Sequence, residues 1–186
     1  MSFWEILLLA VGVSMDAFAV SIGKGLSVQK VTPKELLSVA LWFGGFQALM
    51  PLIGYFLGAS FADLVTKVDH WIAFGLLAFI GGNMIVEALK GGEVKPGDSS
   101  FSFRTMLLLA IATSIDALAV GVSLAFLQVS IWRPVAIIGL TTAAFSATGL
   151  LIGKKVGARF HSAAELLGGV ILIAIGLKIL VEHLFF

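Results

Sequence analysis

The chain has 186 residues, of which 59% are hydrophobic and 12% are charged, with a mean hydropathy of +1.08 and a net charge of +1. Soluble domains are typically about 45–50% apolar and about 25% charged, so the composition indicates an integral membrane protein. The near-neutral charge excludes the dense basic surface that binds nucleic acid, and the absence of cysteine excludes disulfides and thiolate metal sites.

Six apolar stretches are long enough to cross a bilayer, since a transmembrane helix needs about 20 mostly apolar residues. In chain order they are Phe3–Ile22, Leu36–Phe61, Trp71–Leu89, Thr105–Leu127, Val135–Gly153 and Leu166–Leu184. The first stretch lacks a preceding basic segment and contains an aspartate, so it is interpreted as a permanent span rather than a signal peptide. The sequence therefore predicts an all-α membrane protein with six transmembrane helices.

Basic residues are distributed unevenly among the connections between these spans. Nine of the 12 lysines and arginines lie in the first, third and fifth connections, whereas the second and fourth hold only Lys67 and Arg133. Short cytoplasmic loops carry the excess of lysine and arginine in membrane proteins. We therefore expect the odd-numbered connections to be cytoplasmic and both termini to lie outside.

The two halves of the chain resemble each other. The segment Ser14–Val20 of the first span, SMDAFAV, returns in the fourth span as Ser114–Val120, SIDALAV, and the pair Ile53–Gly54 returns as Ile152–Gly153. Each half has three spans, so the second half enters the membrane from the opposite side.

The predicted fold is accordingly two inverted three-helix repeats, residues 1–90 and 105–186, joined by a cytoplasmic linker over residues 91–104. Inverted repeats typically place the substrate site near the bilayer midplane, at the interface between the halves. Asp16 and Asp116 lie at mid-depth in the first span of each half, and we expect the symmetry to bring them together.

An aspartate inside hydrocarbon costs about 2.5–3.5 kcal/mol on insertion scales, so two of them indicate a functional site. Two facing carboxylates can hold protons, and a divalent cation can replace those protons because the pair neutralises its charge. Hard oxygen ligands suit Mg²⁺, Ca²⁺ or Mn²⁺. Asp16 and Asp116 are therefore predicted to bind a divalent cation.

Neutral oxygens at similar depth are the candidates for further metal ligands. Asn83 in the third span comes first, followed by Gln47 and by Ser146, which corresponds to Gln47 in the repeat. Glu87 lies toward the cytoplasmic end of its span, where it is either a port at which ions shed water or a residue that snorkels to the interface. Lys178, at the repeat position of Asn83, is either a structural ion-pair partner or a gating counter-charge.

Ser14 and Ser114 precede the two aspartates. A serine in a transmembrane helix commonly donates a hydrogen bond to a carbonyl of the preceding turn, and we favour that structural role over metal ligation for both residues.

Several segments are similar to the MntP family of bacterial manganese efflux pumps. They are Ser14–Gly25, Pro51–Gly54, His70–Phe74, Gly81–Glu87 and Ala125–Val129. The resemblance covers essentially the whole chain. It implies six transmembrane helices in two repeats, a location in the bacterial cytoplasmic membrane, Mn²⁺ as the exported substrate and functional aspartates at Asp16 and Asp116. The residues alone predict only a cation transporter.

The predicted mechanism is alternating access around one midplane site, with protons as the counter-ion and no resident cofactor. An exporter of another divalent cation, or of a small amine or amino acid, could share this layout. A membrane enzyme is disfavoured because the sequence offers no nucleophile–base pair and no histidine-rich metal site at a membrane face.

Overall fold

The computed structural model describes residues 1–28, 30–62 and 101–156, together with separate helical positions at 71, 74–75, 78–79, 82, 85–86, 89, 166, 170–171, 173–174, 177 and 181. The continuous parts contain helices α1 (Phe3–Ser27), α2 (Pro33–Ala62), α3 (Phe103–Ala112), α4 (Ile115–Phe126) and α5 (Trp132–Val156). The described chain is therefore helical throughout, as the composition predicts.

Three of these helices are long and apolar enough to cross a membrane, over Phe3–Gly25, Pro33–Ser60 and Trp132–Lys155. Helices α3 and α4 together form a fourth candidate span, bent by 42° at a short break. These helices agree with the predicted first, second, fourth and fifth spans. The predicted third and sixth spans lie mostly outside the described residues.

Side-chain caps fix where the helices begin. At α1, the backbone N–H of Ser2 donates to the Glu5 carboxylate at 2.9 Å and the Ser2 hydroxyl accepts from the Glu5 N–H at 3.4 Å. Thr32 and Glu35 form the same reciprocal pair at the start of α2. Such caps satisfy backbone donors that have no helical partner, and each contributes about 0.5–2 kcal/mol.

The helices pack in a crossed arrangement, α1 along α5 and α2 along both α4 and α5. Glycines bring the backbones together, as small residues do in membrane helix pairs. Gly149 of α5 faces Phe18 of α1, and a Cβ built on this glycine would lie 2.7 Å from the Phe18 carbonyl oxygen. On the other side, Gly54 of α2 contacts the backbone of Leu118 in α4.

These contacts match one another between the two sides. The contact of Phe18 with Gly149 corresponds to that of Leu118 with Gly54, and the next turn repeats the match with Ile22–Gly153 and Val122–Gly58. By these contacts, the repeat equivalent of Gly54 is Gly149. The sequence comparison instead matches Gly54 with Gly153, one helical turn away, because the dipeptide Ile–Gly occurs at both places, and that similarity carries no information on which residues are in contact.

Where α2 crosses α5, two glycines meet directly. A Cβ on Gly44 would lie 2.8 Å from the Gly139 carbonyl oxygen, and a Cβ on Gly139 would lie 3.2 Å from the Gly44 carbonyl oxygen. The alignment of the two halves that makes Gly54 equivalent to Gly149 also makes Gly44 equivalent to Gly139. It makes Gln47 equivalent to Thr142, which lies one helical turn from Ser146, the equivalent of Gln47 in the sequence comparison.

The predicted fourth span, Thr105–Leu127, is not one continuous helix, because the helix breaks at Thr113 and Ser114. The Thr113 hydroxyl donates to the Leu109 carbonyl at 2.9 Å, and the Ser114 hydroxyl donates to the Ala110 carbonyl at 2.6 Å. Hydroxyls that bond back to the preceding turn compete with the backbone ladder and bend helices. Two in succession accompany the break here.

Candidate functional site

A layer of buried polar side chains crosses the middle of the described helices. Its members are Ser14, Gln47, Thr113, Ser114, Asp116, Thr142 and Ser146. Asp16, which is partly buried, lies at the same level of α1. Burying so many polar groups is costly unless they bind one another or a ligand, so this layer is the candidate site.

Apolar side chains pack on both sides of the polar layer. Toward the start of α1, one cluster includes Leu9, Val13, Leu124 and Ile138. Toward the end of α1, a second cluster includes Val39, Phe43, Met106 and Leu150. The polar layer is thus separated from either end of the helices by tightly packed apolar groups.

Asp116 lies in the first turn of α4, just beyond the break, with 7% of its surface exposed. Its Oδ1 accepts a hydrogen bond of 2.7 Å from the backbone N–H of Ala117. Its Oδ2 is buried without a hydrogen-bond partner. A buried carboxylate oxygen that accepts no hydrogen bond is expensive, and this is the kind of group that a bound cation satisfies.

Asp16, on α1, is near enough for its charge to act on the carboxylate of Asp116. The repulsion between like charges is strong where water is scarce. Two carboxylates that interact in such a place need a compensating positive charge, from a cation or from protons. That the two aspartates share one ion stays a prediction from the sequence.

Gln47 approaches the same pair from α2, and its side chain interacts with Asp116. The residue is 1% exposed; its Nε2 donates to the Val13 carbonyl at 2.6 Å, while its Oε1 has no partner. The bond to Val13 orients the amide, and Oε1 remains a buried neutral oxygen without a donor.

Ser14 links α1 to α5. Its hydroxyl donates to the Ala10 carbonyl at 2.6 Å and lies 2.7 Å from the Thr142 hydroxyl, which must therefore be the donor in the second bond. The predicted back-bonding role is confirmed for Ser14 and also for Ser114, whose hydroxyl donates to the Ala110 carbonyl.

The remaining sequence candidates have different outcomes. Asn83, Glu87 and Lys178 lie outside the described residues. The Ser146 hydroxyl is buried without a partner. Sequence reasoning missed Thr142, although it lies one turn from Ser146 on the same face of α5. Among the described residues there is no group of three or more His, Cys, Asp or Glu that could hold a metal.

Comparisons with known proteins identify the family. The family model described as "Mntp: Putative manganese efflux pump" matches residues 30–180. A Bifidobacterium adolescentis protein named "Putative manganese efflux pump MntP" is 57% identical, and the match covers 98% of this chain and 97% of the relative. Relatives with the same name are 54% identical in Acetivibrio thermocellus, over 99% and 93% of the two chains, and 52% identical in Actinobacillus succinogenes, over 98% of each.

No solved structure matches the chain. The family match nevertheless covers most of its length, and the similarity to the relatives extends over nearly all of it. The chain belongs to the MntP family.

Proposed function

We propose that this protein exports Mn²⁺ across the bacterial cytoplasmic membrane, and that Asp16 and Asp116 bind the ion midway through the bilayer. Manganese efflux is the activity named for the relatives described above. The observation that supports the proposal in this chain is the buried carboxylate of Asp116, whose Oδ2 has no hydrogen-bond donor and whose charge interacts with that of Asp16.

The chemistry of this oxygen set suits the proposed substrate. Mn²⁺ prefers carboxylate, carbonyl and water oxygens, about six in octahedral geometry. Asp16 and Asp116 supply the compensating charge, and Gln47 supplies a neutral oxygen. From their depth in the third predicted span, Asn83 is proposed as a further ligand and Glu87 as an acidic port on the cytoplasmic side.

Alternating access is the proposed mechanism. The correspondence between the α1–α5 and α4–α2 contacts supports an inverted repeat, which provides two mirrored conformations of similar energy. The apolar clusters around Leu9 and around Phe43 lie on opposite sides of the polar layer and are suited to close the site toward one surface at a time.

Protons are the proposed counter-ion. When Mn²⁺ leaves, Asp16 and Asp116 must be neutralised again before the site can return through the apolar interior, and protons from outside are available for this step. The proposed orientation, from the distribution of basic residues, has both termini outside, and protons that flow inward would drive Mn²⁺ outward.

Purified protein in lipid vesicles tests the proposal through uptake or release of Mn²⁺. Asp16→Asn and Asp116→Asn keep the side-chain size and remove the charge, so each should abolish Mn²⁺ transport while the protein still folds and inserts. Asp98→Asn, in the predicted cytoplasmic linker, is a charge-matched control that should transport normally. Transport at the control rate by both membrane variants would refute the proposed site.

The same vesicles separate the alternatives. Counterflow driven by Mg²⁺, Ca²⁺ or an amino acid, in place of Mn²⁺, would reassign the substrate. An Mn²⁺ flux that ignores an imposed pH gradient would exclude protons as the counter-ion and leave the metal site untouched.

A further inference from the structure

One difference between the two halves in the polar layer lies in the helix that carries the aspartate. Helix α1 continues through Val13 and Ser14, whereas the second half breaks at Thr113 and Ser114. Both serine hydroxyls donate to the carbonyl four residues earlier, at 2.6 Å in each case, so serine alone does not break the helix. The residue before it differs, because Thr113 adds a second back-bonding hydroxyl where the first half has valine.

The break leaves the backbone carbonyl of Thr113 without its helical partner. In an uninterrupted helix, this carbonyl would accept a hydrogen bond from the N–H group of Ala117. Instead, the Ala117 N–H donates to the Asp116 carboxylate, and the next N–H, that of Leu118, donates to the Ser114 carbonyl at 3.2 Å. Among the backbone hydrogen bonds that the described residues make outside the helices, none is accepted by the Thr113 carbonyl.

Asp116, three residues further along the chain, also has a group without a partner, its buried Oδ2. Thr113 is 6% exposed, so its backbone is largely shielded from solvent. Inside a membrane, backbone outside a regular helix is tolerated where it lines a cavity or a binding site, and unwound carbonyls in transporters commonly coordinate cations. The Thr113 carbonyl and the unpaired carboxylate oxygen therefore have the same requirement, a positive charge.

We propose that the backbone carbonyl oxygen of Thr113 is a ligand of the transported cation, beside Asp116. This inference rests on the proposed transport of Mn²⁺ and adds a ligand that the side chains lack. The described residues offer no third acidic, histidine or cysteine ligand, while a hard divalent cation binds about six oxygens. The site is then asymmetric, because the second half contributes a carboxylate and a backbone carbonyl and α1 contributes Asp16.

The ligation also depends on the break itself. If the helical hydrogen bond re-formed between the Ala117 N–H and the Thr113 carbonyl, this carbonyl would be withdrawn from the ion. The Ala117 N–H would then leave Asp116 Oδ1 as well. Straightening of this segment is thus coupled to loss of ligands, which is what release of a tightly held ion requires.

Electron–nuclear double resonance on bound Mn²⁺ tests the ligand assignment directly, because Mn²⁺ is paramagnetic. Protein containing threonine labelled with ¹³C at its carbonyl carbon should show a strong ¹³C coupling to the metal. Thr113→Ser, made with the same labelled threonine and unlabelled serine, keeps the hydroxyl and the backbone and should lose that coupling.

Thr142→Ser is the matched control, since it removes the label from another threonine of the polar layer and should leave the coupling intact. A wild-type spectrum without carbonyl ¹³C coupling, or a coupling that survives Thr113→Ser, would overturn the ligand assignment while the aspartate site stands. Wild-type protein that binds no Mn²⁺ at all would instead overturn the proposed function.

Discussion

The close contact of Gly149 with α1 makes a quantitative prediction about stability. In Gly149→Ala, the new Cβ would lie 2.7 Å from the Phe18 carbonyl oxygen and 3.1 Å from the Ser21 Cβ, so the two helices must move apart by several tenths of an ångström. Gly45 provides the matched control, because a Cβ built there meets nothing within 4 Å.

The two substitutions gain the same helix propensity, about 1 kcal/mol, which cancels when they are compared. What remains is the cost of overpacking at Gly149, about 1–3 kcal/mol. For a chain of this size, about 2–4 °C of melting temperature corresponds to 1 kcal/mol. We therefore expect Gly149→Ala to unfold about 2–12 °C below Gly45→Ala.

Thermal unfolding in the same detergent, followed by the loss of the monodisperse chromatographic peak, measures this difference. Wild-type protein is measured in parallel, and its melting temperature should be equal to or slightly below that of Gly45→Ala. If both variants unfold at the same temperature, α1 and α5 do not make the close backbone contact described here, and the argument for their tight packing fails.

Three further substitutions test the polar layer. Gln47→Met should leave the melting temperature nearly unchanged, because the lost bond to Val13 is offset by removal of an unpaired buried oxygen. The same substitution should weaken Mn²⁺ binding, measured by titration calorimetry, about tenfold, which corresponds to about 1.4 kcal/mol. Thr142→Val should lower the free energy of unfolding by about 0.5–1.5 kcal/mol through loss of the bond to Ser14. Thr113→Val, the residue found in the first half, should raise metal-free stability and reduce the stabilisation by Mn²⁺; an unchanged Mn²⁺ response would contradict the role of the break.

The sequence was sufficient to predict the helical membrane class, and it singles out two aspartates whose role as a metal site stays a prediction. A carboxylate in a long apolar run is conspicuous, and the repeated Ser–x–Asp–Ala pattern connects Asp16 to Asp116 across the chain. The back-bonding of Ser14 and Ser114 was also predictable, because a serine in an apolar helix has few other acceptors.

Other features depend on contacts that sequence patterns do not contain. The break at Thr113 was missed because Ser14 and Ser114 precede the aspartates in both halves, and only the change from Val13 to Thr113 distinguishes them. Thr142 was missed because a threonine that bonds its own helix and one that bonds a neighbouring helix look the same in sequence. Helix register was misjudged by one turn for a similar reason, since glycines recur at several helical spacings.

The crossed packing limits how the helices can move against one another. Helix α1 is clamped to α5, and α4 is clamped to α2, so each pair joins a helix from one half of the chain to a helix from the other. Each pair therefore contains helices from both halves and carries one aspartate. Because α2 also packs along α5, with Gly44 against Gly139 and Ala143, any movement of one pair against the other has to take place along this surface of small residues.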